Sequence, residues 1–82
     1  MLRVVLRYFS SVRSTVGLDS EAVYVDEGTT VSDLLARTIV RFPQLVPLEP
    51  SLLVARNAQY AAPRDSLCEG DIVDIMPPVC PA

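Results

Sequence analysis

From Leu2 to Phe9 the chain alternates, with Leu2, Val4, Leu6 and Tyr8 in one register and Arg3, Val5, Arg7 and Phe9 in the other. A period of two, rich in β-branched and aromatic residues, predicts a strand whose first set enters the core. Ser20 to Asp26 carries the same signal, Val23 and Val25 facing opposite to Ala22, Tyr24 and Asp26, before a turn at Glu27-Gly28. Between the two, Ser10 to Gly17 reads as a short helical turn, capped by Ser10 or Ser11 and stopped by Gly17. The period then changes. Val31, Leu34, Leu35 and Ile39 fall at i, i+3, i+4 and i+8, which is one apolar face of a helix. Its start is Thr30, whose hydroxyl is placed to accept the Asp33 amide, a capping box with Asp in the usual place of Glu. Its end is Phe42, because Pro43 pushes the residue before it out of the α region. Pro43 to Pro50 then reads as loop, Leu52 to Ala55 as a short strand and Arg56 to Gln59 as a turn. Tyr60-Ala61 is a strand return, and Ile72 to Met76 closes the pattern as a last strand.

One dominant amphipathic helix cannot cover both faces of a sheet, so it packs across one face. The expected fold is α+β: a β-grasp, ubiquitin-like domain over residues 1–76, with a mixed sheet of four to five strands and one main helix. Residues 77–82 form an extended tail. Pro77, Pro78 and Pro81 lack backbone N–H groups and have fixed φ, so the tail can neither continue the strand nor turn into a helix. Six residues at about 3.1 Å each reach roughly 19 Å from the domain. Val79 and Cys80 give that tail an apolar content that simple solvation does not call for. If Val73 and Ile75 face the helix, Ile72 and Met76 point to the other side, and with Val79 they form the expected partner-binding surface.

Composition narrows the chemistry. The chain has 82 residues, half of them hydrophobic and 21% charged, the mark of a single globular domain rather than a disordered segment. Its net charge is −3 and its seven basic residues, all arginine, are scattered from Arg3 to Arg64, which excludes a nucleic-acid-binding stripe. No apolar run reaches the length of a membrane span, and Arg3 and Arg7 interrupt the N-terminal one. A cytoplasmic protein without signal peptide or anchor is expected. Histidine is absent and there are two cysteines, Cys68 and Cys80, so zinc sites, iron–sulfur clusters and histidine-dependent triads are excluded. No metal site, no cofactor and no independent catalytic centre are expected. Cys68 reads as a small buried hydrophobe and Cys80 as an exposed thiol.

Four segments carry a resemblance: YFSSVRSTVG from Tyr8, VSDLLARTIVRFPQL from Val31, ARNAQYA from Ala55 and, most specifically, EGDIVDIMPPV from Glu69. Together they make the chain similar to the small, sulfur-carrying subunits of molybdopterin synthase, the MoaD/ThiS-like ubiquitin-like family. The resemblance implies a tail ending in Gly-Gly whose terminal carboxylate is adenylated, with ATP, by a ubiquitin-activating-type enzyme. It further implies conversion to a thiocarboxylate and insertion into the large subunit of the synthase, where sulfur passes to a pterin precursor. Carried onto this chain, the reacting carboxylate is that of Ala82. Here Pro81-Ala82 occupies the place of the glycine pair. Glycine suits a carboxylate threading a narrow channel because it has no Cβ and takes unusual φ/ψ values; Pro81 has a fixed φ and no N–H, and Ala82 adds a methyl group. Two further readings stay open on the residues alone: a non-conjugating module that docks a synthase-like partner without carrying sulfur, and a persulfide or mixed-disulfide role for Cys80.

Overall fold

The computed structural model describes residues 1–78, and its elements follow the sequence pattern closely. Strand β1 (Leu2–Tyr8) leads into helix α1 (Ser10–Val16), followed by β2 (Ser20–Val25) and the main helix α2 (Val31–Arg41). A 3-10 helix (Pro43–Ser51) connects to β3 (Leu53–Arg56), β4 (Gln59–Tyr60) and β5 (Ile72–Met76). The five strands form one sheet in the order β2-β1-β5-β3-β4. β1 and β5 are parallel and central, and every other neighbouring pair is antiparallel. This mixed sheet with a helix across one face is the β-grasp arrangement. Among the described residues no helix is long and apolar enough to cross a membrane.

Alternation decides the core. Val4, Leu6 and Tyr8 of β1, Val23 and Val25 of β2 and Val73 and Ile75 of β5 are buried against Val31, Leu34 and Ile39 of α2, with Val12 and Leu45 closing the ends. Leu35 lies half-buried at the margin of this cluster, and the face includes Thr38, whose hydroxyl donates to the Leu34 carbonyl at 2.9 Å and so carries no unpaired group into the core. The α2 start is a full capping box: Asp33 N–H donates to Thr30 Oγ1 and Thr30 N–H to Asp33 Oδ2, both at 3.1 Å. Further amides at this end are taken by the segment before β5, where Asp65 and Pro63 carbonyls accept from Val31 and Ser32. The first turn of a helix leaves four N–H groups without intrahelical partners, which is why that segment lies here.

Four expectations are corrected. Neither Ser10 nor Ser11 caps α1; Phe9 is the cap residue, its carbonyl accepting from Val12 and Arg13 while its own N–H donates to the Ile75 carbonyl in the sheet. The strand therefore passes into the helix without a polar cap, although Gly17, at φ +85°, ends it as expected. The Pro43 to Pro50 segment is not open loop but a 3-10 helix, since Pro43 at its first turn starts with the φ such a turn needs. The strands placed at Leu52 and Tyr60 each begin one residue differently, at Leu53 and Gln59, because Asn57 and Ala58 take positive φ (52° and 70°) and set a two-residue hairpin turn between Arg56 and Gln59. Cys68 is exposed rather than buried: its neighbour Leu67 fills the core position, and the Cys68 amide is held in the turn before β5.

Candidate functional site: the outer face and exit of the last strand

The turn that launches β5 is built from side chains far apart in sequence. Asp71 is buried, and its carboxylate accepts from the Cys68 amide at 2.7 Å, Asn57 Nδ2 at 2.9 Å and Arg56 Nη1 at 3.2 Å. Burial pushes this carboxyl up, but the hydrogen bonds from Asn57 and Cys68 and the Arg56 charge outweigh it and hold the pKa below the usual range. Asn57 clasps the first strand residue from both sides: its Oδ1 accepts from Ile72 N–H and its own N–H donates to the Ile72 carbonyl. Gly70, at φ +82°, takes the left-handed conformation that lets its N–H reach the Arg3 carbonyl at 2.8 Å. The ARNAQ and EGDIV segments are thus two halves of one joint.

Once launched, β5 runs between β1 and β3. On its inner side Val73 and Ile75 are almost fully buried. On its outer side stand Ile72, 39% exposed, then Asp74, then the half-buried Met76, as the alternation predicted for Ile72 and Met76. The cross-strand partners on this face are Val5 beside Ile72, Arg7 and Ala55 beside Asp74, and Leu53 beside Met76. Arg7 grips Asp74 with two hydrogen bonds, from Nε at 2.6 Å and Nη2 at 2.8 Å. Strand pairing stops at Met76; Pro77 is half-buried and Pro78 exposed. A proline has no N–H with which to extend the ladder, so the chain leaves the sheet beside this apolar face. Val79, Cys80, Pro81 and Ala82, assigned to the tail from the sequence, lie outside the described residues.

Two other features frame the site. A cleft of about 340 Å³ lies between α2 and the hairpin, lined by Val31, Leu35, Leu52, Val54, Tyr60 and Pro63. The polar side chains that line it are those of Ser32 and Tyr60. On the inner side, Tyr8 Oη donates to Glu21 Oε2 at 2.5 Å and Arg41 Nη2 to Glu21 Oε1 at 2.7 Å. Burial and the Glu21 hydrogen bond raise the Tyr8 phenol, while Glu21, despite its own desolvation, is held down by Arg41 and Tyr8. This network ties the end of α2 to the sheet. Sequence reasoning missed it, as it missed the Asn57–Asp71 joint and the Arg7–Asp74 pair, because no local spacing announces them.

Comparison with known proteins points one way. The model of the ThiS family matches residues 6–81. A protein of Aedes aegypti named "Molybdopterin synthase sulfur carrier subunit" is 33% identical over 86 residues, covering 96% of this chain and 88% of that one. Among solved structures, a putative molybdopterin converting factor subunit 1 from Pyrococcus furiosus superposes with a TM-score of 0.88 at 26% identity, covering 96% of this chain and 100% of that one. The same fold recurs, at 18% identity and a TM-score of 0.73, in the complex of subunits 1 and 2 of the molybdopterin-converting factor from Helicobacter pylori, over 99% of this chain and 100% of that one. With the family pattern running through nearly the whole sequence and the β-grasp sheet delivering β5 into Pro77-Pro78, this chain belongs to the ThiS family.

Proposed function

We propose that this protein is the sulfur-carrier small subunit of molybdopterin synthase, serving molybdenum cofactor biosynthesis through the segment that follows β5. The observation that carries this reading is the match through residue 81, which extends the family pattern beyond the strand into the tail, together with the 33% identity to a sulfur carrier subunit. The domain holds no catalytic constellation among its described side chains, in keeping with a part that delivers a reacting group to another protein's site. In this scheme the adenylating enzyme joins the terminal carboxylate to AMP from ATP with release of pyrophosphate. A sulfur nucleophile then displaces AMP to leave the thiocarboxylate. The large subunit takes up the tail while the outer face around Ile72 and Met76 docks against it, and Val79 extends that contact.

The test lies at the last two residues. For a chain made to end in Pro81-Ala82, fixed φ at Pro81 and the methyl of Ala82 disfavour a narrow adenylation channel, and a displacement of about 1 Å from the reactive geometry costs on the order of a hundredfold in rate. Pro81→Gly with Ala82→Gly is expected to raise ATP–pyrophosphate exchange by a molybdopterin-pathway activating enzyme more than about tenfold, or roughly 1.4 kcal/mol. Intact mass then follows replacement of one oxygen by sulfur; a gain that thiol reductant removes would instead assign the sulfur to a cysteine, and its persistence in a Cys68→Ser variant would assign it to Cys80. Equal exchange by both chains refutes the steric argument and leaves the carrier role standing. Exchange by neither favours a docking module that carries no sulfur.

A further inference from the structure

On the outer face, the two central strands meet at the Arg7–Asp74 pair. The Asp74 side chain is only 10% exposed, whereas that of Arg7 is 46% exposed, so the carboxylate is spent against the sheet while the guanidinium keeps one edge outward. The Phe9 ring, 5.5 Å from the guanidinium carbon, supports its other side. Two of the five N–H groups of the guanidinium go to Asp74 and three remain. Around the pair the β5 side of the face is apolar: Ile72 and Met76 lie two residues to either side of Asp74, Ala55 stands beside Asp74 on β3 and Val5 beside Ile72 on β1, while Ser20 of β2 stands beside Arg7. The charged side chains on this face of the described sheet are Arg3, Arg7 and Asp74, an excess of one positive charge on a chain whose net charge is −3.

A partner that covers Ile72 and Met76 must also cover Arg7. A purely apolar partner would bury three donors without acceptors, which is costly. A carboxylate answers both the free edge of the planar fork and the excess charge. We propose that Arg7, oriented by Asp74 and Phe9, is the charge-specific contact of the docking face, and that the large subunit meets it with an acidic side chain. This rests on the docking proposed above. Asp74 is a positioning residue: it fixes the direction of the fork and does not itself touch the partner.

The experiment is calorimetric titration of the intact large subunit with the 82-residue chain at low and high salt, beside urea unfolding of each variant. Arg7→Met with Asp74→Leu replaces the pair by apolar groups and strands no buried carboxylate, an exchange that proteins often accept without loss of stability. It is expected to bind at least about tenfold more weakly than the native chain at low salt and to lose most of its salt dependence. Arg7→Lys keeps Asp74 paired and the charge in place but lacks the fork, and should weaken binding about threefold or more. If either variant is well folded and binds with native affinity and salt dependence, the charge contact is overturned while the docking reading stands. If the native chain fails to bind the large subunit at all, the docking reading falls and takes this contact with it.

Discussion

Asp71 shows how one residue links stability to pH. Its folded pKa is depressed, so its contribution is fully present above the unfolded carboxylate range, near about 3.9, and is lost as pH falls through the lower folded value. Asp71→Asn keeps the shape but gives up the charge, leaving the Cys68 amide and Arg56 with a poorer acceptor. We expect it to cost about 1–3 kcal/mol at neutral pH. The gap between native and variant urea midpoints should hold from pH 7 down to about 4 and close as the pH drops further. A gap that does not change with pH would mean that the carboxylate charge plays no part in the joint. Glu21, also held below its usual range, adds to acid sensitivity with the same sign.

At the scale of elements, α2 separates positions that the apolar pattern treats alike. Leu34 is 2% exposed at the centre of the core, while Leu35 is half-buried and lines the cleft beside the hairpin. Leu34→Ala is expected to cost about 2–5 kcal/mol. Leu35→Ala should cost clearly less, because part of its surface already faces solvent and the cleft gives its neighbours room to settle. Arg37, exposed and bound through Nη1 to the Tyr24 carbonyl, should change stability by within about 0.5 kcal/mol when replaced by alanine. Urea midpoints must therefore fall in the order Arg37→Ala, Leu35→Ala, Leu34→Ala. The reverse order for the two leucines would place the helix on the sheet with a different rotation.

Taken whole, the molecule places its first strand and its tail-bearing strand side by side in the middle of the sheet. The inner faces of both are buried in the core with α2, and on the outer side Met76 is the last paired residue before the chain's exit at Pro77-Pro78. This arrangement puts Met76 at the junction of face and tail. Met76→Asp introduces a charge among Leu53 and Ile72 without touching Val73 or Ile75. It should weaken association with the large subunit by more than about 1 kcal/mol, read by calorimetry, and leave the domain folded by circular dichroism. Binding unchanged by Met76→Asp would move the docking surface away from this face.

Much of this was legible in the chain itself, wherever the determining interaction is local. The period of two in β1, the spacing of Val31, Leu34 and Ile39, the Thr30–Asp33 box, Gly17 as a stop and the end of pairing at Pro77 all follow from neighbours within a few residues. Ile72 and Met76 were placed on the correct face for the same reason, since alternation assigns a side but not a neighbour. Which strand lies alongside is decided by the order of the sheet, and only that order brings Arg7 to Asp74 across 67 residues and Asn57 to Asp71 across 14. Cys68 belongs to this second kind. Its composition-based place was the core, but Leu67 took the core position and the amide of Cys68 was required by Asp71, so the thiol was left on the surface. Local periodicity determines elements and faces; long-range pairing, which has no fixed spacing in sequence, determines the joint before β5 and the charged centre of its outer face.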